Sequence, residues 1–212
     1  MGLVVCIMVI SAAAASANVP SLTLSTATTA AAGPVALFNL PNGTGNAFTA
    51  ARAAPPSPGT AGPIVDATVT LTLLDGNGDP ISNYPGEDLW LGTTSSNFFA
   101  CNNGTIADFN TNAAGQTVWV DPMLAGGFSL PGTDVTKVYV NGAPLAGAGM
   151  AISFNSADIF PDGRVNSSDV AAFAGDYFAA YNFRSDMYYD GVVNASDVAA
   201  FANGFGAACP GL

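Results

Sequence analysis

The sequence predicts a mainly β protein, an antiparallel sandwich that carries a small α module at its C-terminal end. Two observations lead there. From Val19 to Ile152, short runs of alternating apolar and polar residues recur between turn signals, at roughly the 8–12-residue spacing of all-β sandwiches. Helical periodicity is confined to two stretches beyond residue 165, and these stand at equivalent positions of one repeated segment.

The elements follow in order. Leu3–Ile10 is an apolar run, and Ala15-Ser16-Ala17 after it matches a signal-peptidase site, with Asn18 as the mature start. The run is too short to span a membrane. Residues 1–17 are therefore read as a cleaved leader or, if retained, as a strand inserted into a neighbouring subunit. Ser21–Thr28 alternates Leu and Thr, and Val35–Leu40 is a short apolar strand ending at Pro41-Asn42-Gly43. Ala53–Pro63, rich in Pro and Gly, is a stiff loop.

Ile64–Leu74 is the clearest strand, with Val65, Ala67, Val69, Leu71 and Leu73 facing one way and Asp66, Thr68, Thr70 and Thr72 the other. Asp75–Pro80 turns it back. Further strands are expected at Leu89–Thr94, Phe98–Cys101, Gly104–Phe109, Gln116–Val120, Val135–Val140 and Pro144–Phe154, with Asn141-Gly142 as a two-residue hairpin turn. Residues 18–63 and 64–154 then share one sandwich, and 155–212 form the C-terminal module. The segment Asp66–Ile81, with Ala107–Thr117, resembles a bacterial immunoglobulin-like repeat of adhesins and surface proteins. That resemblance implies an immunoglobulin-like sandwich in structural or adhesive use.

The C-terminal module repeats itself. Asp158-Ile-Phe-Pro-Asp162-Gly163-Arg-Val-Asn166-Ser-Ser-Asp169 recurs as Asp186-Met-Tyr-Tyr-Asp190-Gly191-Val-Val-Asn194-Ala-Ser-Asp197, each followed by Val-Ala-Ala-Phe-Ala. Calcium takes six to eight oxygens, and a 12-residue loop supplies them from fixed positions around a glycine at position 6. The first loop offers Asp158, Asp162, the backbone oxygen of Arg164, Asn166 and Asp169; the second offers Asp186, Asp190, the backbone oxygen of Val192, Asn194 and Asp197. Position 3 is Phe160 or Tyr188, which carries no carboxylate or amide, so sites weaker than a full set are expected. An Asp-Gly turn before an N-capped helix would account for one such segment without metal. Two copies, each with three carboxylates in a short loop, concentrate charge that needs neutralising. The helix stripes Val170, Phe173, Ala174, Tyr177 and Val198, Phe201, Ala202, Phe205 are expected to pack face to face.

On these residues the segment 155–209 resembles a dockerin, a paired calcium-loop repeat. The resemblance implies two loop–helix units, two calcium ions, and docking of a cohesin-like partner through Ser167-Ser168 and Ala195-Ser196.

Composition narrows the function. Only 9% of the 212 residues are charged, half are hydrophobic, Lys and Arg number 4, and the net charge is −11. Nothing here would neutralise nucleic-acid phosphates. His is absent, which removes histidine-based catalysis and His-ligated zinc. Glu87-Asp88 is the one adjacent acidic pair, and neighbours on a strand point to opposite faces, so no catalytic residues are expected. Trp90 and Trp119 are either a glycan platform or core aromatics. Asp75, Asn77 and Asp79 in the turn could hold another cation, and an Asx-rich hairpin explains them as well. Loss of residues 1–17 removes Cys6 and leaves Cys101 and Cys209 as a disulfide pair in an exported protein. A chain this apolar and uncharged is expected to bury surface in a homo-oligomer or filament. The expectation is a secreted, non-enzymatic calcium-binding structural protein, with an adaptor or adhesin as the alternative.

Overall fold

The computed structural model describes residues 18–54 and 57–212. The leader or inserted strand expected at 1–17 lies outside the described residues. The protein is mainly β, with several antiparallel sheets and two short helices.

The strands are β1 (Thr26–Thr29), β2 (Val35–Asn39), β3 (Ala51–Ala53), β4 (Ile64–Val65), β5 (Val69–Thr72), β6 (Leu89–Thr93), β7 (Phe98–Ala100), β8 (Gln116–Trp119), β9 (Ala125–Gly127), β10 (Thr136–Val140), β11 (Ala143–Pro144) and β12 (Ile152–Ser156). Helices α1 (Ser167–Tyr177) and α2 (Ala195–Gly204) follow. The sheets run β1-β5-β8, β11-β10-β6, β12-β2-β3-β4 and β7-β9. Alternation works as expected in β5 and its flanks: Ala67, Val69, Leu71 and Leu73 are fully buried and share one core with Val35, Leu37, Phe48, Leu89, Leu91, Trp119, Val138 and Phe154. The Asn141-Gly142 turn joins β10 to β11 with both residues at positive φ, 48° and 88°, as a type I′ hairpin needs.

Four expectations are corrected. The arrangement is not purely antiparallel, because β12 runs parallel to β2 with Ile152 opposite Val35 and Ser156 opposite Asn39. Ile64–Leu74 is not one strand: Asp66 Oδ1 accepts the Thr68 N–H at 2.8 Å, and this local turn sends β4 to β3 and β5 to β1. Pro144–Phe154 divides into β11 and β12 around Gly147 and Gly149, both at positive φ. Gly104–Phe109 forms no strand, only a bridge from Ile106 to Trp90. Its backbone is used elsewhere, since the Trp119 Nε1–H donates to the Thr105 carbonyl at 3.0 Å.

Parallel pairing of β2 with β12 positions the repeat. One face of this pair (Val35, Leu37, Ile152, Phe154) enters the main core. Beyond its end, Leu40 and Ala157 join Ile159, Val165, Phe173, Met187, Phe201 and Ala207 in a second core. The repeat is thus built directly onto the strand ends.

Candidate metal centre

Both loops fold by the same hydrogen bonds. In the first, Asp158 accepts the N–H groups of Asp162 (3.3 Å) and Gly163 (2.9 Å), while Asp169 accepts those of Phe160 and Asn166, both at 2.8 Å. In the second, Asp186 accepts from Asp190 (3.0 Å) and Gly191 (2.8 Å), and Asp197 from Tyr188 and Asn194, both at 2.8 Å. The glycines turn at φ of 81° and 80°, conformations that a Cβ would strain. Asn166 and Asn194 each cap a helix, accepting from Ser168 and Ser196 at 2.8 Å, and Asp169 and Asp197 complete capping boxes.

Folding in this way collects negative charge out of water. Asp158, Asp169, Asp186 and Asp197 are fully buried and Asp190 is 4% exposed. Asp186, Asp190 and Asp197 bring carboxylate oxygens within 4.8 Å of one another. Oxygens on opposite sides of a calcium ion stand roughly 4.6–5.2 Å apart, twice its 2.3–2.6 Å ligand distance, so these three fit around one ion. The first loop is looser, because Asp162 is exposed and its Oδ2 takes only the Asn166 amide at 3.3 Å. Asp162 would have to turn inward to join Asp158 and Asp169.

Among the described residues no cationic side chain forms a salt bridge with these carboxylates. The one salt bridge there joins Arg184 to Asp176 at 2.7 Å, away from the loop carboxylates. Burial pushes Asp158 up to about 7 and Asp197 up to about 6, against the lowering effect of the backbone N–H groups they accept. Asp169 and Asp186 are raised for the same reason. At Asp176 burial also works upward, but hydrogen bonds from Arg184, Ser185 and Asn182 outweigh it and hold that carboxyl below its ordinary value.

The backbone oxygens expected as ligands belong to Arg164 and Val192. Val165 N–H donates to Ala207 O (2.8 Å) and Cys209 N–H to Gly163 O (2.9 Å), forming a bridge that pairs Arg164 with Ala208. This leaves Arg164 O on the loop side, where the Asn166 amide approaches at 3.4 Å. Val192 follows the same loop course, its N–H donating to Asp190 at 3.1 Å.

Several residues that hold the loops escaped the sequence reading. Gly127 N–H donates to Asp158 O at 2.6 Å, and a Cβ on Gly126 would collide with the Asp158 carboxylate. The Asn155 amide donates to Asp186 O, Tyr181 O–H donates to Asp186 Oδ2 at 3.0 Å, and Gly59 N–H donates to Asp190 O at 2.7 Å. Adjacent glycines in β9 were the available signal, since glycine within a strand often marks close backbone approach. Tyr188, at position 3, packs under the Arg52 guanidinium, 4.2 Å from the ring centroid. The aromatic at this position thus contacts β3, which carries Arg52. Cys101 and Cys209 form a disulfide with Cα atoms 5.5 Å apart, tying the segment after β7 to the strip that flanks the first loop.

The helices do not bury each other's stripes as expected. Phe173 meets Phe201 at a centroid distance of 5.0 Å, but Val170, Tyr177, Val198 and Phe205 stay substantially exposed and Phe178 is 88% exposed. Side chains at 3/4 spacing define a face without naming what covers it. Here the two faces flank an open apolar groove of about 560 Å³.

Fold and loops together define a mainly β protein with a paired acidic-loop appendage. No protein-family model and no curated protein matches the chain. Among solved structures it is similar to invasin, a bacterial integrin-binding protein, at 16% identity and a TM-score of 0.32, over 66% of this chain and 20% of that one. The chain spans about a fifth of the invasin chain, and a likeness this low carries no argument.

Proposed function

We propose that the protein is a secreted, non-enzymatic structural protein whose paired loops bind two calcium ions, and that it assembles with copies of itself at the cell surface or in an extracellular filament. The observation that carries the calcium reading is the burial of five loop carboxylates that, among the described residues, form no salt bridge with a cationic side chain. Buried charges in proteins are paired or bind metal. Loop 186–197 supplies Asp186, Asp190 and Asp197, with Asn194 at its rim; loop 158–169 supplies Asp158 and Asp169, with Asp162 turning inward. The repeated capping and loop hydrogen bonds support the dockerin-like reading of 155–209. The two three-stranded sheets, sharing one core, support an immunoglobulin-like sandwich over 18–154.

Two further observations support the setting. A disulfide persists in oxidising compartments, and among the described residues no helix is long and apolar enough to cross a membrane. Self-association is supported by the uncharged, apolar groove between the helices. Sedimentation of the purified chain with millimolar calcium and with a chelator tests both halves. Assembly in calcium that dissociates on chelation supports the reading, and a monomer under both conditions refutes the assembly half.

Docking of a cohesin-like partner is the second reading, favoured by the exposure of Ser167, Ser168, Ala195 and Ser196 at the helix starts. Capture of a cohesin unaffected by charged substitutions at those four positions would count against it.

A further inference from the structure

A cleft of about 270 Å³ lies beside β6, away from the loops, lined among others by Glu87, Trp90, Asn102, Asn103, Thr105 and Ile106. We propose that this cleft is a binding site for a neutral saccharide, with one sugar ring set against the indole of Trp90.

The two tryptophans have separate roles. Trp119 is 1% exposed, and its Nε1–H is taken by the Thr105 carbonyl. Trp90 stands on the outward side of β6, half-buried, while its neighbours Leu89 and Leu91 enter the core. Its orientation is fixed by packing. Tyr139, its register partner on β10, stacks on it at 6.0 Å with planes 4° apart, and Tyr139 can lie there because Gly92 has no Cβ to meet the ring at 2.8 Å. Tyr139 packs beside the indole, which also lines the cleft.

The opposite wall is rigid and polar. Gly104 N–H donates to Cys101 O at 2.9 Å to close a turn, while Cys101 is held by its disulfide and by an N–H bond to Leu124 O at 3.0 Å. Asn103 sits in the left-handed region at φ 55°, and both Asn102 and Asn103 are exposed. Wall and platform are set before any ligand arrives, which lowers the ordering cost of binding.

The chemistry selects the ligand. A flat aromatic accepts the C–H face of a sugar ring, while Glu87 and the two amides offer acceptors and donors to its hydroxyls. With no cation in the lining and a net charge of −11, acidic sugars and phosphates are disfavoured. The cleft is smaller than the ~300–1,000 Å³ of drug-sized pockets, which suits a single ring at the end or branch of a chain.

The test is titration of the full chain, calcium present, with glucose, galactose, mannose, N-acetylglucosamine and their short oligomers, followed by calorimetry and tryptophan fluorescence. At least one should saturate at or below about 10 mM, with Trp90→Ala weakening it about tenfold or more and Trp90→Phe much less. Glu87 is exposed, so Glu87→Gln should weaken binding severalfold without moving the melting temperature. Absence of binding across the panel, or binding unchanged in both Trp90→Ala and Glu87→Gln, overturns the proposal.

Discussion

Removing calcium at pH 7.5 should destabilise the protein by an amount the two loops allow to be calculated. A ligand that binds only the folded state stabilises by RT ln(1 + [L]/Kd). Extracellular calcium modules work at dissociation constants of about 0.1–1 mM, so 10 mM calcium contributes roughly 1.4–2.7 kcal/mol per site. Loop 186–197, with three converged carboxylates, belongs at the upper end; loop 158–169, with Asp162 turned outward, belongs at the lower. Their sum is about 4 kcal/mol, which for a chain of this size moves the melting temperature by roughly 8–16 °C. Calorimetry in 10 mM calcium and in EDTA measures the difference. Asp190→Ala should remove the larger share of it and Asp162→Ala the smaller. Magnesium, which demands near-octahedral geometry, should substitute poorly. Melting temperatures within about 2 °C of each other in calcium and EDTA would refute the reasoning, as would an equal response to magnesium.

In EDTA, pH should act through the same carboxyls. Asp158 and Asp197 have folded pKa values raised above 3.8, so the folded state holds more protons than the unfolded one in the interval between. Their favourable contribution is present near pH 4 and is lost as pH rises through about 6 for Asp197 and about 7 for Asp158; chemical denaturation across that range should show stability falling, while calcium affinity rises. Gly126→Ala touches no ligand, yet its Cβ would displace the Asp158 carboxylate; calcium stoichiometry by calorimetry should drop from two ions to one. Replacing both Cys101 and Cys209 by Ser frees a long loop for which the chain-entropy model gives about 4–5 kcal/mol. Because Cys209 N–H holds Gly163 O, it should also weaken the first loop more than the second, seen as two separated steps in a calcium titration.

What was legible followed from local rules. Val69–Thr72 alternates and is a strand, Asn141-Gly142 turns the chain at positive φ, and Asn166 and Asn194 cap the helices they precede. What was missed depends on partners distant in sequence. Ala51-Arg52-Ala53 and Ala125-Gly126-Gly127 lack the β-branched residues that announce a strand, and become strands because neighbours pair with them. The parallel alignment of β2 with β12 leaves no mark in either segment. At the loops, the carboxylates were readable from their spacing, but Asn155, Tyr181 and Gly126 act from outside the two 12-residue loops. Of the two tryptophans, only the structure separates Trp119 in the core from Trp90 at the cleft.

Pairing β2 with β12 also sets an order of events in folding. Val35 finds its partner in Ile152, across most of the chain, and closing so long a loop is slow because its entropy is lost before contacts repay it. Asp158 and Asp186 are held by Gly127 and Asn155, on strands β9 and β12 that flank this closure. The second core, too, needs Leu40 from the end of β2. On the proposed reading, ion capture would come late, after the distant strands have met, and calcium would act as a latch on a finished molecule. A chain that stalls with β2 and β12 apart would present its acidic loops unformed, and the ion would pass it by.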